Sequence, residues 1–263
     1  NSTHAIEVTH ANAAYDYQPD IHKDGRSAVF SRYNGQSLEL WAIDLISGES
    51  KALTNNGAFN AEPRFSPDGK QLLWVSSIGQ GHFNLHIADF STSGLSRIRQ
   101  LIPEKKSNVD RYYYAASNHS INPSWSPDGK EIYFVMNAEN AWGSGDVYAM
   151  SVGQENSLRK VISEETTWAA RPEVSPDGKR ILYSSYRGRQ WYQLWLTNLN
   201  GQSPLPLTFG EFDRKNARWS YDGKQIAFIS NENGNTELVL QDVVGGSQRT
   251  IVAATRKTIL PMG

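Results

Sequence analysis

The chain has 263 residues, of which 26 are basic and 27 acidic, for a net charge of −1, and it contains no cysteine. Balanced charge supplies no global field for nucleic acid or an anionic membrane surface, so neither is an expected partner. The missing cysteines exclude disulfides, thiolate metal sites and cysteine nucleophiles. No apolar run reaches the roughly 18 residues of a membrane-spanning helix, so no transmembrane segment is expected.

The chain starts at Asn1 without Met, which fits a processed or trimmed product and equally an engineered chain. The first apolar segment, Ala5-Ile-Glu-Val-Thr9, reads as an orphan strand or a latch within residues 1–10. Five related phrases follow: Pro19-Asp-Ile-His-Lys-Asp-Gly-Arg26, Pro63-Arg-Phe-Ser-Pro-Asp-Gly-Lys70, Pro123-Ser-Trp-Ser-Pro-Asp-Gly-Lys130, Pro172-Glu-Val-Ser-Pro-Asp-Gly-Lys179 and Ala217-Arg-Trp-Ser-Tyr-Asp-Gly-Lys224. Their aspartates are 44, 60, 49 and 45 residues apart, the period of a repeat architecture.

Each phrase predicts a hairpin. Gly takes positive φ cheaply, Asp accepts from nearby backbone N–H groups, and Pro67, Pro127 and Pro176 preset φ before the turn. Six residues after each Asp stands an aromatic (Phe30, Trp74, Phe134, Tyr183, Phe228) inside a β-rich run. A third strand follows, as in Leu40-Trp-Ala-Ile-Asp44 and Leu194-Trp-Leu-Thr-Asn198, and a fourth, as in Lys51-Ala-Leu-Thr54. No sustained 3.6-residue apolar period predicts helix. The fold class is therefore all-β: a β-propeller of four-stranded antiparallel blades in one domain spanning 1–263. Its five complete repeats lie near 15–54, 59–102, 119–162, 168–208 and 213–252. Thr258-Ile-Leu-Pro-Met262 reads as the opening of an incomplete sixth blade, so the expectation is five blades latched by the N-terminal strand or a six-bladed ring.

The phrases resemble the TolB-type propeller repeat, with its Pro-x-Trp-Ser-Pro-Asp-Gly-Lys hallmark followed by an aromatic strand. The segment Pro123 to Lys130 matches it throughout, and the resemblance covers roughly residues 5 to 255. Repeat one departs from it at Ile21-His-Lys, and repeat five at Tyr221. The resemblance implies a propeller, usually six-bladed, in a periplasmic or secreted protein of the bacterial envelope. Such propellers also occur fused to peptidases or amidohydrolases.

Catalytic signatures are missing. No Gly-x-Ser-x-Gly elbow occurs, and the Gly-rich stretches lead into strands, where phosphate cradling needs a helix. His82 and His86 have the spacing of a helical metal pair, but on a strand they stand about 13 Å apart. His4, His10, His22 and His119 add no ligand pattern. Each Asp-Gly turn offers one carboxylate followed by Lys or Arg, where a calcium loop needs several, so the turns read as structural. No catalytic residue, metal or cofactor is expected.

Alternation along the first strand of each repeat sets two polar positions on one face, which in a propeller faces the channel. Gln18, Glu62, Asn122, Arg171 and Asn216 form the first expected ring. Asp20, Arg64, Ser124, Glu173 and Arg218 form the second. Charges cancel within each ring, where a metal or phosphate channel would be biased to one sign. The rings read as a solvated channel whose side chains pair with one another, with recognition of a small polar ligand or a peptide terminus at the channel mouth as the alternative.

Loops at the end opposite the Pro-Asp-Gly turns collect aromatics: Tyr15, Tyr17, Phe59, Tyr112, Tyr113, Tyr114, Trp142, Trp168, Trp191, Tyr192 and Phe212, with Arg187, Arg189 and Arg214. That is the composition of an interaction surface. The long insertion from Pro103 to Ser120 carries Lys105, Lys106, Arg111 and the Tyr112-Tyr-Tyr114 run, and is the first candidate for partner contact. The reading is a non-enzymatic propeller binding a protein or peptide through this face and the channel mouth. Its rivals are the N-terminal gating or substrate-selecting propeller of a larger hydrolase and a carbohydrate-binding propeller. Nothing in the sequence sets the oligomeric state.

Overall fold

The computed structural model describes residues 7–9, 15–79, 81–103, 117–139, 145–154, 156–163, 169–187 and 190–252. In chain order the strands are β1 (Tyr15–Ile21), β2 (Ser27–Tyr33), β3 (Leu38–Asp44) and β4 (Ser50–Ala52). Then come β5 (Asn60–Phe65), β6 (Gln71–Ser76), β7 (Asn84–Ser91), β8 (Gly94–Gln100), β9 (Ser120–Trp125), β10 (Glu131–Met136), β11 (Asp146–Ser151) and β12 (Arg159–Ile162). The last eight are β13 (Glu173–Val174), β14 (Arg180–Ser185), β15 (Gln193–Asn198), β16 (Leu205–Pro206), β17 (Arg214–Trp219), β18 (Gln225–Ser230), β19 (Glu237–Asp242) and β20 (Gln248–Val252). Every four consecutive strands form one antiparallel sheet in sequence order, and the five sheets stand in a ring as the blades of a five-bladed propeller.

The all-β propeller expected from the repeat is the fold observed. No element among the described residues is helical, and none is long and apolar enough to cross a membrane as a helix. Of the expected strand at 5–9, residues 5 and 6 lie outside the described residues, and 7–9 carry no regular structure. The segment 258–262 lies wholly outside them.

The turn phrase folds the same way in four blades. In blade two, Ser66 Oγ donates to Asp68 Oδ1 at 2.6 Å and accepts from Gln71 N at 2.9 Å, while Lys70 N donates to the same Asp68 oxygen at 3.0 Å. Ser126/Asp128, Ser175/Asp177 and Ser220/Asp222 repeat the arrangement. The carboxylate is thus engaged by its own turn, and its pKa lies below the ordinary aspartate value because the Ser hydroxyl and then the Lys N–H hold the anion.

Blade one departs, as its sequence does. His22 takes the serine position, and Arg26 N and Ser27 N donate to Asp24 Oδ1 at 2.8 and 2.9 Å. Its ring reaches the next blade, with Nε2 3.1 Å from Gly69 O and an edge contact to Phe65 at 4.9 Å between centroids. A Cβ on Gly69 would sit 2.2 Å from that Nε2. The glycine of one turn is thus the seat for a ring from the turn before it.

Apolar seams join successive blades. Val29 and Leu40 pack with Phe65, Leu72 and Trp74 between blades one and two, and Leu73 and Leu85 with Trp125 and Phe134 between two and three. Tyr133 and Val147 meet Val174 and Tyr183 between three and four, and Leu182 and Leu194 meet Ala217 and Phe228 between four and five. Among the described residues no cluster of this kind joins blade five to blade one. On that side blade one buries Ala28, Phe30 and Ile43, with Trp41 packed against them and the Arg32 guanidinium 4.5 Å from the Trp41 centroid. Asp16 holds Arg32 through bonds of 2.7 and 2.8 Å.

Candidate functional site

The inner strands β1, β5, β9, β13 and β17 line the axis, each contacting the next in order. They are not regular. Register shifts interrupt β1, β5, β9 and β17, and the first-ring residues all have positive φ: Gln18 51°, Glu62 54°, Asn122 53°, Arg171 41° and Asn216 58°. Left-handed backbone is strained for a side-chain-bearing residue, by about 1–2 kcal/mol each. In β1, β5, β9 and β17 the bulge re-aims the side chain, and Arg171, just before β13, adopts the same backbone.

The new direction is tangential, along the ring. Gln18 Oε1 accepts from Glu62 N at 3.0 Å, and Glu62 Oε2 accepts in turn from Asn122 N at 2.5 Å. Glu62 Oε1 also takes Asn122 Nδ2 at 2.8 Å and lies 3.4 Å from Arg171 Nη2. Glu62 and Asn122 are buried. Across blades one to three the first ring is a clasp in which a side chain from one blade holds the backbone of the next, a consequence that period-two alternation does not anticipate.

The second ring lines a cavity of about 640 Å³ to which every blade contributes: Asp20, Arg64, Ser124, Glu173 and Arg218. Pro67, Pro127, Pro176 and Tyr221 stand around it, so the cavity opens on the Pro-Asp-Gly side. Tyr221, in the proline position of repeat five, is fully exposed. Here too the acids hold the next blade. Asp20 Oδ2 accepts from Phe65 N at 2.8 Å, and Glu173 Oε2 from Trp219 N at 3.3 Å. Ser124 Oγ lies 3.5 Å from Tyr133 O.

The arginines are engaged less fully. Arg64 is buried and donates Nη1 to Pro63 O at 2.9 Å, while its Nε has no partner among the described residues. Burial, then the Arg218 charge, pulls Arg64 down to about 10. Burial pushes Glu173 up, opposed by Arg218 and Arg64. Arg218 Nη1 reaches Glu173 Oε1 at 3.7 Å, beyond hydrogen-bond length.

The structure therefore brings the ten channel residues to the axis as two layers of different character. Of the loop-face candidates, Tyr112, Tyr113, Tyr114, Trp142 and Trp168 lie outside the described residues, as do Lys105, Lys106, Arg111 and Arg189. Trp191 and Tyr192 are half-buried at the start of β15, at the end away from the Asp-Gly turns. Tyr192 meets Tyr186 edge-on at 5.1 Å, and Lys215 Nζ lies 5.2 Å from its ring. Arg214, counted with that face from sequence, is buried. It donates to Phe209 O and Glu232 Oε2 at 2.6 and 2.8 Å and stacks on Phe212 at 4.4 Å.

Of the histidines, His82 lies with His119, 6.1 Å between centroids, while His86 is buried beside Trp74 and its pKa is lowered by burial. Among the described residues no group of three or more His, Asp or Glu side chains could hold a metal ion. Sequence reasoning passed over Trp125 and Trp219, which border the cavity. Their indole N–H groups bond to the carbonyls of Arg64 and Glu173 in the preceding blade, both at 3.3 Å. Their recurrence in the repeat phrase was the available signal.

Comparison with known proteins is consistent with this geometry. The family model described as the TolB beta propeller domain matches residues 104–259. A "Tol-Pal system protein TolB" of Francisella tularensis subsp. mediasiatica is 28% identical over 245 residues, 92% of this chain and 52% of that protein. The chain thus spans about half the length of the curated relatives it matches. Among solved structures, TolB from Acinetobacter baumannii superposes with a TM-score of 0.71 at 20% identity, covering 88% of this chain and 54% of that one. A Mycobacterium tuberculosis puromycin-hydrolyzing peptidase gives 0.65 at 14% identity, covering 92% and 39%. At these identities the structural likenesses are of fold alone.

Proposed function

Because the chain belongs to the TolB beta propeller domain family, we propose that it is a non-enzymatic binding module of the bacterial envelope, periplasmic or secreted, which captures a segment of a protein partner at the mouth of its channel. The observation that carries the reading is the cavity of about 640 Å³ into which all five blades deliver a polar side chain beneath a rim of Pro67, Pro127, Pro176 and Tyr221. Concave apolar walls with a few converging polar groups are the usual form of a recognition site. Relatives named for the Tol-Pal system support an envelope setting and a protein partner. Trp191 and Tyr192 sit at the other end of the blades and form a second, separate surface for contact.

The test is capture from a bacterial envelope extract with the 263-residue chain, beside Tyr221→Glu and Trp191→Ala variants shown to be folded. Tyr221 is fully exposed, so its replacement leaves the fold intact while placing a charge at the mouth. A partner held by the parent and lost by Tyr221→Glu is the expected result. A partner whose capture ignores Tyr221→Glu, or no partner at all, would overturn the channel reading. Loss on Trp191→Ala alone would move the contact to the loop end, at a cost in binding of about 2 kcal/mol if that ring is an anchor.

A further inference from the structure

The formal charges of the second ring balance, two acids against two arginines, but its hydrogen bonds do not. Both acids are tied back to the wall, Asp20 by Phe65 N and Glu173 by Trp219 N. Among the described residues the Arg64 guanidinium, buried at 7% exposure, bonds only to Pro63 O, and its Nε has no partner. The Arg218 guanidinium makes no hydrogen bond among the described residues and reaches Glu173 Oε1 only at 3.7 Å. These two side chains come from blades two and five and line the same cavity. The unmet demand of the site is thus for acceptors, and for acceptors carrying negative charge.

Resting on the channel reading, we propose that the cavity recognises a carboxylate on the partner segment, received by the guanidinium groups of Arg64 and Arg218. A guanidinium presents its donors as a planar fork that matches a carboxylate, and a charge-assisted pair is stronger than a neutral one. A buried guanidinium with an idle N–H carries a desolvation penalty that an incoming anion relieves. Mutual repulsion of the two arginines, which contributes to the lowering of Arg64, is relieved by the same event. The seat accepts an Asp or Glu side chain or a chain-terminal carboxylate, since each presents the same two oxygens.

The experiment is to pan a randomised peptide library against the intact 263-residue chain and against Arg218→Gln. Among the described residues Arg218 makes no hydrogen bond, and far-ultraviolet circular dichroism and thermal melting are the check that the variant is folded. Enriched peptides are then synthesised in three forms: as selected with an amidated end, with Gln or Asn replacing each acid, and neutral with a free C-terminal carboxylate. Acidic residues should be enriched on the parent and not on Arg218→Gln. Neutralising the acid should weaken binding about ten-fold or more, the effect of losing one charge-assisted pair. Arg64→Gln should give the same loss. Tight binding by the first form identifies a side-chain source, and by the third a terminal source.

Equal enrichment of acids on parent and variant, or equal binding of the acidic, neutralised and free-carboxylate forms, would overturn the carboxylate seat. A partner captured from the extract that depends on Tyr221 but is held equally by Arg64→Gln and Arg218→Gln would overturn this inference and leave the channel reading standing. Absence of any partner or peptide would remove both.

Discussion

Trp125 and Arg64, sixty-one residues apart in the chain, are joined by a hydrogen bond from the indole Nε1–H of one to the main-chain carbonyl of the other, 3.3 Å long. Trp219 makes the same 3.3 Å bond to Glu173 across the seam between blades four and five. Tryptophan in the repeat phrase is therefore both a packing residue and a strap to the neighbouring sheet.

Replacing Trp125 with Phe keeps a ring in the seam but leaves Arg64 O without its donor in a buried setting. The expected loss of stability is about 1–3 kcal/mol. Urea unfolding should show a lower midpoint with an unchanged slope, and an unchanged midpoint would show that the bond contributes nothing.

Gly69 and Gly25 occupy equivalent turn positions, with φ of +72° and +66°, yet only Gly69 has a ring over it. Gly25→Ala should meet only the left-handed backbone penalty of about 1–2 kcal/mol. Gly69→Ala should lose more, because its methyl would displace His22. The excess should shrink in the His22→Ala, Gly69→Ala double variant, with a coupling of about 0.5–3 kcal/mol in a double-mutant cycle. Equal effects at the two glycines would contradict the seat described for His22.

Glu39 is a buried carboxylate that accepts from Thr54 Oγ1 at 2.6 Å, Gly57 N at 2.8 Å, and Asn56 N and Asn60 Nδ2 both at 3.1 Å. It ties β3 to the connection entering blade two. Glu39→Ala leaves all four donors unmet and should destabilise by about 3 kcal/mol or more. Glu39→Gln retains one acceptor and should fall between that variant and the parent in thermal unfolding.

Stability should fall in acid. Backbone N–H groups of Ser27 and Arg26 hold Asp24 at about 2, and Ser47 N, the Arg26 guanidinium and Ile46 N hold Asp44 at about 2, against 3.8 unfolded. A lowered pKa means that the unfolded chain binds more protons between these values. The contribution is therefore present above about pH 3.8 and lost as pH falls towards 2. Glu173, raised by burial, has the opposite sign: its contribution is present below 4.5 and lost as pH rises through its folded pKa. Denaturant titrations from pH 2 to 7 should show a smaller acid loss in Asp24→Asn and a flatter high-pH limb in Glu173→Gln. Unchanged profiles would remove these groups from the account.

The repeat phrase made the blades legible because its information is local. Asp-Gly turns, period-two strands and the following aromatic each act within about ten residues, and the four-stranded unit emerged from them. The channel was legible in membership but not in form. Alternation placed Glu62 and Arg64 on one face, whereas the bulge turns Glu62 along the ring to clasp Asn122 and leaves Arg64 on the cavity. Arg214 looked like a surface cation, yet its partners Phe209 O and Glu232 bury it.

By itself, then, the sequence determined the blade, its number of strands, its turns and the family to which it belongs. Each follows from short-range propensity repeated five times. Only the tertiary structure decided which polar groups are engaged and which are idle. Those bonds run between residues 44 to 61 positions apart, from Gln18 to Glu62 and from Arg64 to Trp125. It also decided that the cavity opens beside the Pro-Asp-Gly turns and is lined by Arg64 and Arg218 from separate blades. A side chain's nearest partners across a ring of sheets are set by how the sheets pack, and no local pattern records that.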